Sequence, residues 1–527
     1  MKQEIQEFLA EQYPDVGFDV SYPPDGFGDY STNVAFLLAK EKGENPQKIA
    51  EEVKGKLQEE FKEFEKIEIA GDGFINFHLS IKYLLEKLND FLKIKIDFPK
   101  TKSLRINLEF VSANPTGPLT VGNARAASFG DTLGNVLNKV GHQVTKEYYI
   151  NDIGVQVEKM AKSEINEDLK ESGRDPKYKE EGLYMGKHVI TGMLETKTSI
   201  GAHLFDVSLE EVEKAAVESK IKKIKESVAR LGVEIHEWFK ESSLHNSGEV
   251  KKVLSELESK GYVIEEDGAK WLKLNDDQKA VLVKSNGLTT YLANDIAYTK
   301  NKFERGFDIA INIWGADHHG DVIRLKSGIQ ALGYNPNKLQ ILLHQLVALK
   351  KDGQLVRMSK REGNIETLDD LLNEVGKDVT RFFFLTKDLN THMEFDMDLA
   401  KEQSSKNPVY YIQYAFARIS SVFEKSKNLK VETKNLELLK EKEELDLIRC
   451  LIRFPEVIFE ISQNYQVHHL SQYALELANR FHRFYEKQRI ISENERLTEA
   501  RSALVKMVQV ILGEALSLMG IETPKRM

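Results

Sequence analysis

The chain has 527 residues, more than one ordinary hydrophobic core can organise, which predicts about three domains of roughly 100–200 residues each. It is 41% hydrophobic and 30% charged, a composition typical of a folded protein. It also lacks the run of ~20 apolar residues that a membrane span requires. The net charge is −9, and the single cysteine, Cys450, excludes an internal disulfide and a cysteine-based zinc site. With no cleavable signal pattern at its start, the chain is expected to be cytoplasmic and to have no membrane partner and no structural metal.

Residues 1–100 are predicted to form a small α+β domain. A turn-rich stretch at 23–30 precedes a helical pattern at 33–42, and a Gly71-Asp72-Gly73 turn leads into an alternating strand at 74–79. Residues 93–103 contain Pro99 and several lysines, and we interpret them as a linker.

Residues 101–400 have the pattern of an α/β domain. Apolar and polar residues alternate over 104–110, a loop with two prolines and a glycine ends that strand, and a helix follows Gly122. The next strand is predicted at 144–150, so the segment is a βαβ unit of a Rossmann-type parallel sheet. Residues 155–285 are charged, and we expect them to form a helical insertion in this domain.

Further strands are predicted at 307–314 and 339–349, and polar residues follow each of them. In open α/β sheets ligands bind at such strand ends. Residues 401–527 show apolar residues at helical spacing, which predicts an all-α domain. This part has 20 Lys and Arg residues against 17 Asp and Glu residues. A slightly basic surface is compatible with phosphate contacts, although a solvated helical surface explains it equally well.

The loop-to-helix junction at 118–123 is a candidate nucleotide site. Gly122 permits close approach of a ligand to the backbone, and the N-terminus of the following helix offers N–H groups to phosphate oxygens. Thr120 and Asn123 add uncharged donors. By itself the junction is weak support, because most such junctions bind no nucleotide.

The segment LVRMSKREG at 355–363 is a second candidate. Three cations and a serine within five residues suit a clamp on a polyphosphate, and Lys360 could stabilise the charge on a leaving pyrophosphate. Alone, an exposed basic loop would explain this segment about as well. Together the two segments are far more indicative.

Met358, Ser359 and Lys360 resemble the KMSKS signature of class I aminoacyl-tRNA synthetases, and TVGN at 120–123 stands where those enzymes have HIGH. The sequence is similar to the arginyl-tRNA synthetase family over nearly its whole length, notably in EFVSANPTGP (109–118), YINDIG (149–154), TYLANDIAY (290–298) and WGADHHG (314–320). Thr120 and Asn123 replace both histidines of HIGH, which keeps neutral hydrogen-bond donors but no titratable group. Arg357 replaces the first lysine of KMSKS.

The resemblance implies an enzyme that joins L-arginine to its tRNA through an arginyl-adenylate, with ATP as substrate and Mg²⁺ as cofactor. It implies contacts to ATP from Thr120, Gly122, Asn123, His318, Met358, Ser359 and Lys360, of which Thr120, Gly122, Asn123 and Lys360 are the catalytic candidates. It implies an arginine pocket made by Glu109, Asn114, Tyr291, Asp295 and Asp317. Tyr291 and Asp295 are four residues apart, on one face if their segment is helical, whereas Glu109 could also be an ordinary surface carboxylate.

The resemblance further implies that residues 401–527 bind the anticodon and that residues 1–100 contact the outer corner of tRNA. Tyr414 and Arg418 are the predicted RNA-facing pair, because aromatic rings and guanidinium planes stack on unpaired bases. His318 and His319 could be a metal pair, but neighbours on a strand point apart, and we predict no metal site. We expect His468 and His469 to serve packing, and we expect a monomer.

Two other functions remain open at this point. The loss of the HIGH histidines suggests a non-catalytic paralogue that binds RNA, although the presence of Lys360, Glu109 and Asp295 argues against it. An adenylyltransferase for a smaller substrate is the other alternative, and it would have no use for the long helical C-terminal domain.

Overall fold

The computed structural model describes residues 1–93, 96, 98–99, 102–274, 278–356, 367–425 and 433–527. In these ranges no helix combines the length and the apolar character that a membrane crossing requires.

Residues 1–93 form an α+β unit in which helices cover an antiparallel sheet of strand order β1-β2-β4-β3. Its elements are α1 (Lys2–Gln12), β1 (Val20–Ser21), β2 (Tyr30–Thr32), α2 (Val34–Lys42), α3 (Pro46–Glu60), β3 (Phe64–Ala70), β4 (Phe74–Leu79) and α4 (Ile81–Lys93). The helix predicted at 33–42 and the strand predicted at 74–79 are present as α2 and β4. Ile5, Leu9 and Phe77 are completely buried between the helices and the sheet.

A five-stranded parallel sheet forms the middle of the molecule, in the order β12-β11-β5-β6-β7. The elements of its first half are β5 (Arg105–Glu109), α5 (Val121–Lys139), β6 (Gln143–Ile150), α6 (Val155–Glu171), α7 (Lys187–Ile200), α8 (Leu209–Arg230), β7 (Glu237–Lys240), α9 (Glu241–Asn246) and α10 (Glu249–Ser259). Those of its second half are β8 (Val263–Glu266), β9 (Ala269–Lys273), β10 (Lys279–Val283), α11 (Tyr291–Glu304), β11 (Ile309–Gly315), α12 (His319–Ala331), β12 (Leu339–His344), β13 (Val347–Lys351), β14 (Gln354–Val356), α13 (Leu368–Val375), α14 (Lys377–Phe384), β15 (Met393–Asp396) and α15 (Met397–Lys401).

The order of the strands in the sheet reverses at β5. Strands β6 and β7, which follow β5 in the chain, lie on one side of it, and β11 and β12 lie on the other. Such a reversal opens a crevice outside the carboxyl ends of β5 and β11, where doubly wound folds bind ligands. The predicted Rossmann-type parallel sheet is therefore confirmed.

Helix α5 packs unusually close to this sheet because of two glycines. A Cβ atom on Gly130 would come within 3 Å of the Phe110 ring, and one on Gly134 would come 2.7 Å from Cε of Lys146. The absence of side chains at these positions fixes the depth of α5, and with it the position of its N-terminus at the crevice.

The helical insertion predicted over 155–285 is helical only in part. Helices α6, α7 and α8 pack on one another around a small apolar cluster that includes Ile165 and Met193. Strand β7, however, joins the main sheet beside β6, and β8, β9 and β10 form an antiparallel sheet of their own. Sequence periodicity did not indicate β7, since it is four residues long, carries a charge at each end and is nowhere fully buried.

The strand predicted over 339–349 is also two elements. β12 completes the parallel sheet, whereas β13 pairs with β14 and β15 in a separate three-stranded sheet. Gln345 and Leu346 lie at the break between them.

The C-terminal part is all-α, as predicted. Its helices are α16 (Pro408–Lys425), α17 (Lys442–Ile452), α18 (Phe454–Asn464), α19 (His468–Lys487) and α20 (Glu495–Leu518). The N-terminal unit docks on α18, where the hydroxyl groups of Tyr22 and Tyr30 both donate to the carboxylate of Glu456. The C-terminal helices thus contact both the N-terminal unit and, where α18 packs on α5, the parallel-sheet part.

Candidate active site

The N-terminus of α5 begins with a capping box. The backbone N–H and the hydroxyl of Thr120 donate to Oδ1 of Asn123 over 2.8 and 2.9 Å, and the Asn123 N–H lies 3.4 Å from the Thr120 hydroxyl oxygen. This reciprocal pair satisfies groups that a helix end otherwise leaves unpaired. Since Oδ1 of Asn123 accepts both bonds, its amide nitrogen is the group left to donate to a ligand. Gly122, between them, carries no side chain that would cover the helix end.

The same junction contacts the chain that follows the second predicted segment. Thr120 forms an antiparallel bridge with Thr367, and the Leu368 N–H donates to the Leu119 carbonyl over 2.8 Å. The predicted ATP contacts Met358, Ser359 and Lys360, together with Arg357, lie outside the described residues. The described residues on the two sides of that segment are Val356, at the end of β14, and Thr367, beside Thr120.

The turn after β5 has a strained backbone. Val111 has a φ of +72° and Ser112 a φ of +35°, and a β-branched residue rarely adopts the left-handed region. The turn is fixed by Ser112, whose hydroxyl donates to Oε1 of Glu109 over 2.9 Å and accepts from the Tyr149 N–H over 3.1 Å. Strain of this kind persists only where the surroundings determine the conformation. Here the turn directs the following residues, including Asn114, across the ends of β5 and β6.

Glu109 ends β5 and is almost completely buried. Its Oε2 accepts a hydrogen bond of 2.7 Å from Nζ of Lys302, a fully buried lysine on α11 that also donates to Oδ1 of Asn312. A surface carboxylate, the alternative considered from the sequence, is therefore excluded. Both carboxylate oxygens of Glu109 already have a partner, one from Ser112 and one from Lys302.

Helix α11 presents two of the predicted pocket residues on one face. Tyr291 is in its first turn with 62% of its surface exposed, and Asp295 follows one turn later and is half-buried. Burial, and then the nearby carboxylates of Glu109 and Glu241, raise the pKa of Asp295 well above its ordinary value. Three carboxyl groups therefore share one partly desolvated space, which favours a cationic ligand.

Glu241 was not identified from the sequence. It directly follows β7 and is 5% exposed, and the Asn294 side-chain amide on α11 donates to its Oε1 over 2.5 Å. Burial raises the pKa of Glu241 to about 7 against the lowering effect of the Asn294 bond, and the charge of Asp152 adds to the increase. No periodicity or motif distinguishes this glutamate from its neighbours, so only the position of β7 in the sheet could have revealed it.

Two buried amide oxygens near these carboxylates have no hydrogen-bond partner in the part of the chain that the structure describes. They are Oδ1 of Asn294 and Oδ1 of Asn151, and the Asn151 amide nitrogen donates to Asn114 over 2.8 Å. Buried polar atoms in folded proteins are nearly always paired. Both unpaired amide atoms are acceptors, as are the carboxylates of Asp295 and Glu241, and the unpaired hydroxyl of Tyr149 beside them can accept as well as donate. The space between α11 and the ends of β5, β6 and β7 is therefore suited to a ligand that brings many donors.

Asp317 and His318 lie on the other side of the crevice, just after β11. Both are exposed, and His318 has Asp317 and Asp321 at 3.6 and 3.3 Å from its ring nitrogens. They are thus on the side of β11, whereas Asn114, Tyr291 and Asp295 are on the side of β6. Within the described ranges, no group of three or more His, Cys, Asp or Glu side chains has the geometry of a metal site.

The predicted RNA-facing pair lies far along the chain, on α16. The guanidinium of Arg418 stacks 4.5 Å from the ring centre of Tyr414 and 4.7 Å from that of Tyr485 on α19. The ring of His482, also on α19, lies 5.9 Å from Tyr414 and nearly parallel to it. We call these four residues the α16–α19 aromatic cluster. The intervening residues expected in the core, Ile412, Ala415 and Ile419, are completely buried.

Three family models match the chain in sequence. Residues 1–79 match the arginyl tRNA synthetase N terminal domain, residues 87–404 the catalytic domain of class I (R) tRNA synthetases, and residues 412–527 the DALR anticodon binding domain. The matched ranges agree with the three parts described above.

Full-length relatives and a solved structure are similar to the chain as well. The arginine–tRNA ligase of Caldanaerobacter subterraneus is 44% identical over 516 residues, which is 95% of this chain and 92% of that protein. The arginine–tRNA ligase of Carboxydothermus hydrogenoformans is 42% identical over 533 residues, 97% of this chain and 95% of that protein. The structure of Thermus thermophilus arginyl-tRNA synthetase superposes with a TM-score of 0.80 at 22% identity, covering 100% of each chain, and supports the fold.

Proposed function

From the premise that this chain belongs to the arginyl-tRNA synthetase family, we propose how its own residues attach L-arginine to tRNA. The enzyme is a class I arginine–tRNA ligase that works through an arginyl-adenylate. In the first step a carboxylate oxygen of arginine attacks the α-phosphorus of ATP, the bond to the bridging oxygen of the β-phosphate breaks, and pyrophosphate leaves. In the second step a hydroxyl group of the 3′-terminal ribose of tRNA attacks the arginyl carbonyl carbon, and AMP leaves.

The observation that carries the proposal is the acceptor-rich pocket between α11 and the ends of β5, β6 and β7. A guanidinium group has five N–H donors and no acceptor. The pocket offers the carboxylates of Asp295 and Glu241 and the unpaired amide oxygens of Asn151 and Asn294. Charge-assisted hydrogen bonds to such groups are about twice as strong as neutral ones. We therefore propose Asp295 and Glu241 as the guanidinium contacts.

Glu109, Asn114, Tyr291 and Asp317 remain proposed arginine contacts. Each carboxylate oxygen can accept two hydrogen bonds, so Glu109 can accept from the α-amino group of the substrate while it holds Lys302. The exposed hydroxyl of Tyr291 is one turn before Asp295 and suits the open side of the pocket. Asp317, across the crevice, is available to the α-amino group of an arginine whose carboxylate points to the nucleotide.

ATP is proposed to bind at the switch point, next to the start of α5. Gly122 and the first-turn N–H groups of α5 suit its phosphates, with Asn123 as a further donor and Thr120 as the residue that holds the cap. Met358, Ser359, Lys360 and His318 are proposed to complete the ATP contacts. Mg²⁺ is proposed to enter with ATP as the metal complex of its phosphates, the usual way in which proteins bind this ion with a nucleotide.

The tRNA contacts are proposed at two places. Tyr414 and Arg418, with the buried His482 and the exposed Tyr485 around them, form a partly exposed stack that is suited to an unpaired anticodon base. The N-terminal unit is proposed to contact the outer corner of tRNA, and Phe74, in the strand after the Gly71-Asp72-Gly73 turn, offers a 47% exposed ring for such a contact.

We also propose the division of the chain into residues 1–100, 101–400 and 401–527, which the ranges of the three family matches support. The segment 155–285 is proposed to belong to the catalytic domain, since β7 is part of the main sheet. A monomeric state and a cytoplasmic location are proposed on the resemblance to the family alone.

Purified enzyme incubated with total tRNA, ATP and each amino acid in turn is expected to charge tRNA with arginine only. The pocket supplies acceptors that amino acids without a guanidinium group would leave unpaired, and such sites reject the wrong substrate by ~10⁴-fold or more. The measurement is acid-precipitable radioactive amino acid. Binding of tRNA without charging would favour the non-catalytic RNA-binding paralogue. Pyrophosphate exchange with a smaller amino acid, without tRNA, would favour the other alternative.

Arginine binding is expected to weaken as the pH falls below 7. The Glu241 carboxyl, with a pKa raised to about 7, is protonated below that pH and must release its proton to pair with a guanidinium. Ionisation of this group alone should then make the affinity fall by up to about tenfold per pH unit below pH ~7. Titration calorimetry of arginine from pH 5.5 to 8.5 measures this.

The control separates Glu241 from the groups around it, which include Asp152, Asp295 and His245. Glu241→Gln removes the titration at one site, so its affinity profile should be flatter than that of the unchanged enzyme. Identical profiles, offset or not, would exclude Glu241 as the titrating contact.

A further inference from the structure

Helix α19 connects the two functional regions of the molecule. Near its C-terminal end it carries His482 and Tyr485 of the α16–α19 aromatic cluster, and in its first turns it carries His468 and Ser471. Ser471 and His482 are eleven residues apart, about 16 Å along an α-helix. One continuous helix therefore carries groups in both regions.

The first turns of α19 contact the catalytic domain. The Ser471 hydroxyl, which is buried, has two acceptors for its one proton, the Leu385 carbonyl at 2.8 Å and the His468 carbonyl of its own helix at 2.9 Å. Nδ1 of His468 lies 3.9 Å from Oδ2 of Asp388. Leu385 and Asp388 belong to the loop between α14 and β15, which we call the 385–391 loop. The C-terminal domain thus holds this loop by a buried hydrogen bond.

Arg125 holds the same loop from the other side. It is completely buried on α5, two residues after Asn123, and its guanidinium donates to the Asp388 carbonyl over 2.7 Å and to the Gln345 carbonyl over 3.1 Å. The Gln345 N–H in turn donates to the Leu389 carbonyl over 3.1 Å. A single side chain therefore joins the first turn of α5, the connection from β12 to β13 and the 385–391 loop.

We propose that Arg125 and Ser471 are positioning residues that couple the occupancy of the anticodon region to the geometry of the ATP site. The proposal rests on the proposed function. Binding at the aromatic cluster shifts α19, Ser471 carries the shift to the 385–391 loop, and Arg125 carries it to the first turn of α5. The guanidinium forms a planar fork between two carbonyl groups, so it cannot keep both bonds if the loop moves while α5 does not. Neither residue is among the proposed substrate contacts.

The test compares an arginine tRNA transcript with the same transcript changed at one anticodon base. For the unchanged enzyme we expect the base change to lower kcat at saturating tRNA by about tenfold or more, within the 5–150-fold range usual for coupled sites. In Ser471→Ala the effect on kcat should shrink to about threefold or less, while the effect on the dissociation constant of tRNA stays within about twofold of the original. A merely structural role for Ser471 would lower kcat equally for both transcripts.

Lys139→Ala is the matched control. Lys139 pairs with Glu514 over 2.5 Å, so this substitution removes a different contact between α5 and the C-terminal domain. It should keep the full anticodon effect on kcat.

If Ser471→Ala does not fold, as judged by its melting temperature, Arg125→Lys tests the same link from the side of α5 and should also reduce the anticodon effect. The coupling is excluded if kcat discrimination survives in the folded variant, if Lys139→Ala loses it equally, or if the unchanged enzyme charges both transcripts at the same kcat. Absence of any arginylation would instead refute the proposed function.

Discussion

Asp295→Asn is expected to lower kcat/KM for arginine by at least about 10³-fold. The change replaces one carboxylate oxygen by an NH₂ group. That donor would then face the guanidinium group of the substrate, which has N–H donors and no acceptor. Sites built around such polar pairs discriminate by about 10⁴–10⁵-fold when a partner is lost. Arginylation rates at limiting arginine provide the measurement.

The same substitution should not lower the melting temperature. Asp295 is partly desolvated beside Glu109 and Glu241, and these neighbours raise its pKa, so the ionised group is a cost to the folded state. A neutral isostere relieves that cost, as expected where a functional site is held at the expense of stability. Lower activity with an unchanged or higher melting temperature would therefore identify a binding role.

Glu304→Gln is the matched control for this prediction. Glu304 is at the C-terminal end of the same helix, is nearly half exposed and pairs only with Lys300 over 3.5 Å among its described neighbours. Its kcat/KM should stay within about twofold of the original, because surface ion pairs contribute little. An Asp295→Asn enzyme that remains within tenfold of the original activity would refute the proposed pocket.

Lys360→Ala is expected to lower the single-turnover rate of arginylation by at least about 100-fold, the usual effect of losing one donor that stabilises transition-state charge. The proposed reason is that negative charge builds on the leaving pyrophosphate in the first step. The loss should appear in the rate at saturating ATP more than in KM for ATP, since a transition-state interaction affects kcat.

The chain near Lys360 can reach the nucleotide. Thr367 bridges to Thr120, and position 360 comes seven positions before Thr367 in the chain. An extended chain spans at most ~3.6 Å per residue, so position 360 lies within about 25 Å of Thr367 in any conformation. Lys351→Ala, in β13 before the same segment, is the control and should leave the rate within about twofold, as expected for an exposed charge. An unchanged single-turnover rate in Lys360→Ala would remove this lysine from the mechanism.

The local parts of the site were predictable from sequence. The alternation over 104–110, the proline-rich loop and the helix after Gly122 correspond to β5, its turn and α5. The capping box of Thr120 and Asn123 involves residues three apart, so it depends on the helix end alone. The spacing of Tyr291 and Asp295 indicated a shared helix face for the same reason.

The partners of these residues were not predictable. Lys302 reaches Glu109 across 193 positions of sequence, and Asn294 reaches Glu241 across 53. Glu241 follows a strand of four residues with a charged residue at each end. Apolar and polar residues do not alternate along this strand, so neither the strand nor the glutamate was identified from the sequence. The roles of Arg125 and Ser471 depend on carbonyl groups of distant loops, which have no side-chain signal at all.

By itself, the sequence determined the βαβ unit of the parallel sheet, the strand ends where ligands bind, the family and the residue types that a cationic substrate and a nucleotide require. These follow from periodicity and short-range spacing, which act within one element. Only the tertiary structure decided which carboxylates share a desolvated space, because electrostatic coupling and burial depend on distances in space rather than along the chain. The same reason explains why the link from the C-terminal helices to the first turn of α5 became visible only after folding had brought three distant segments to one guanidinium.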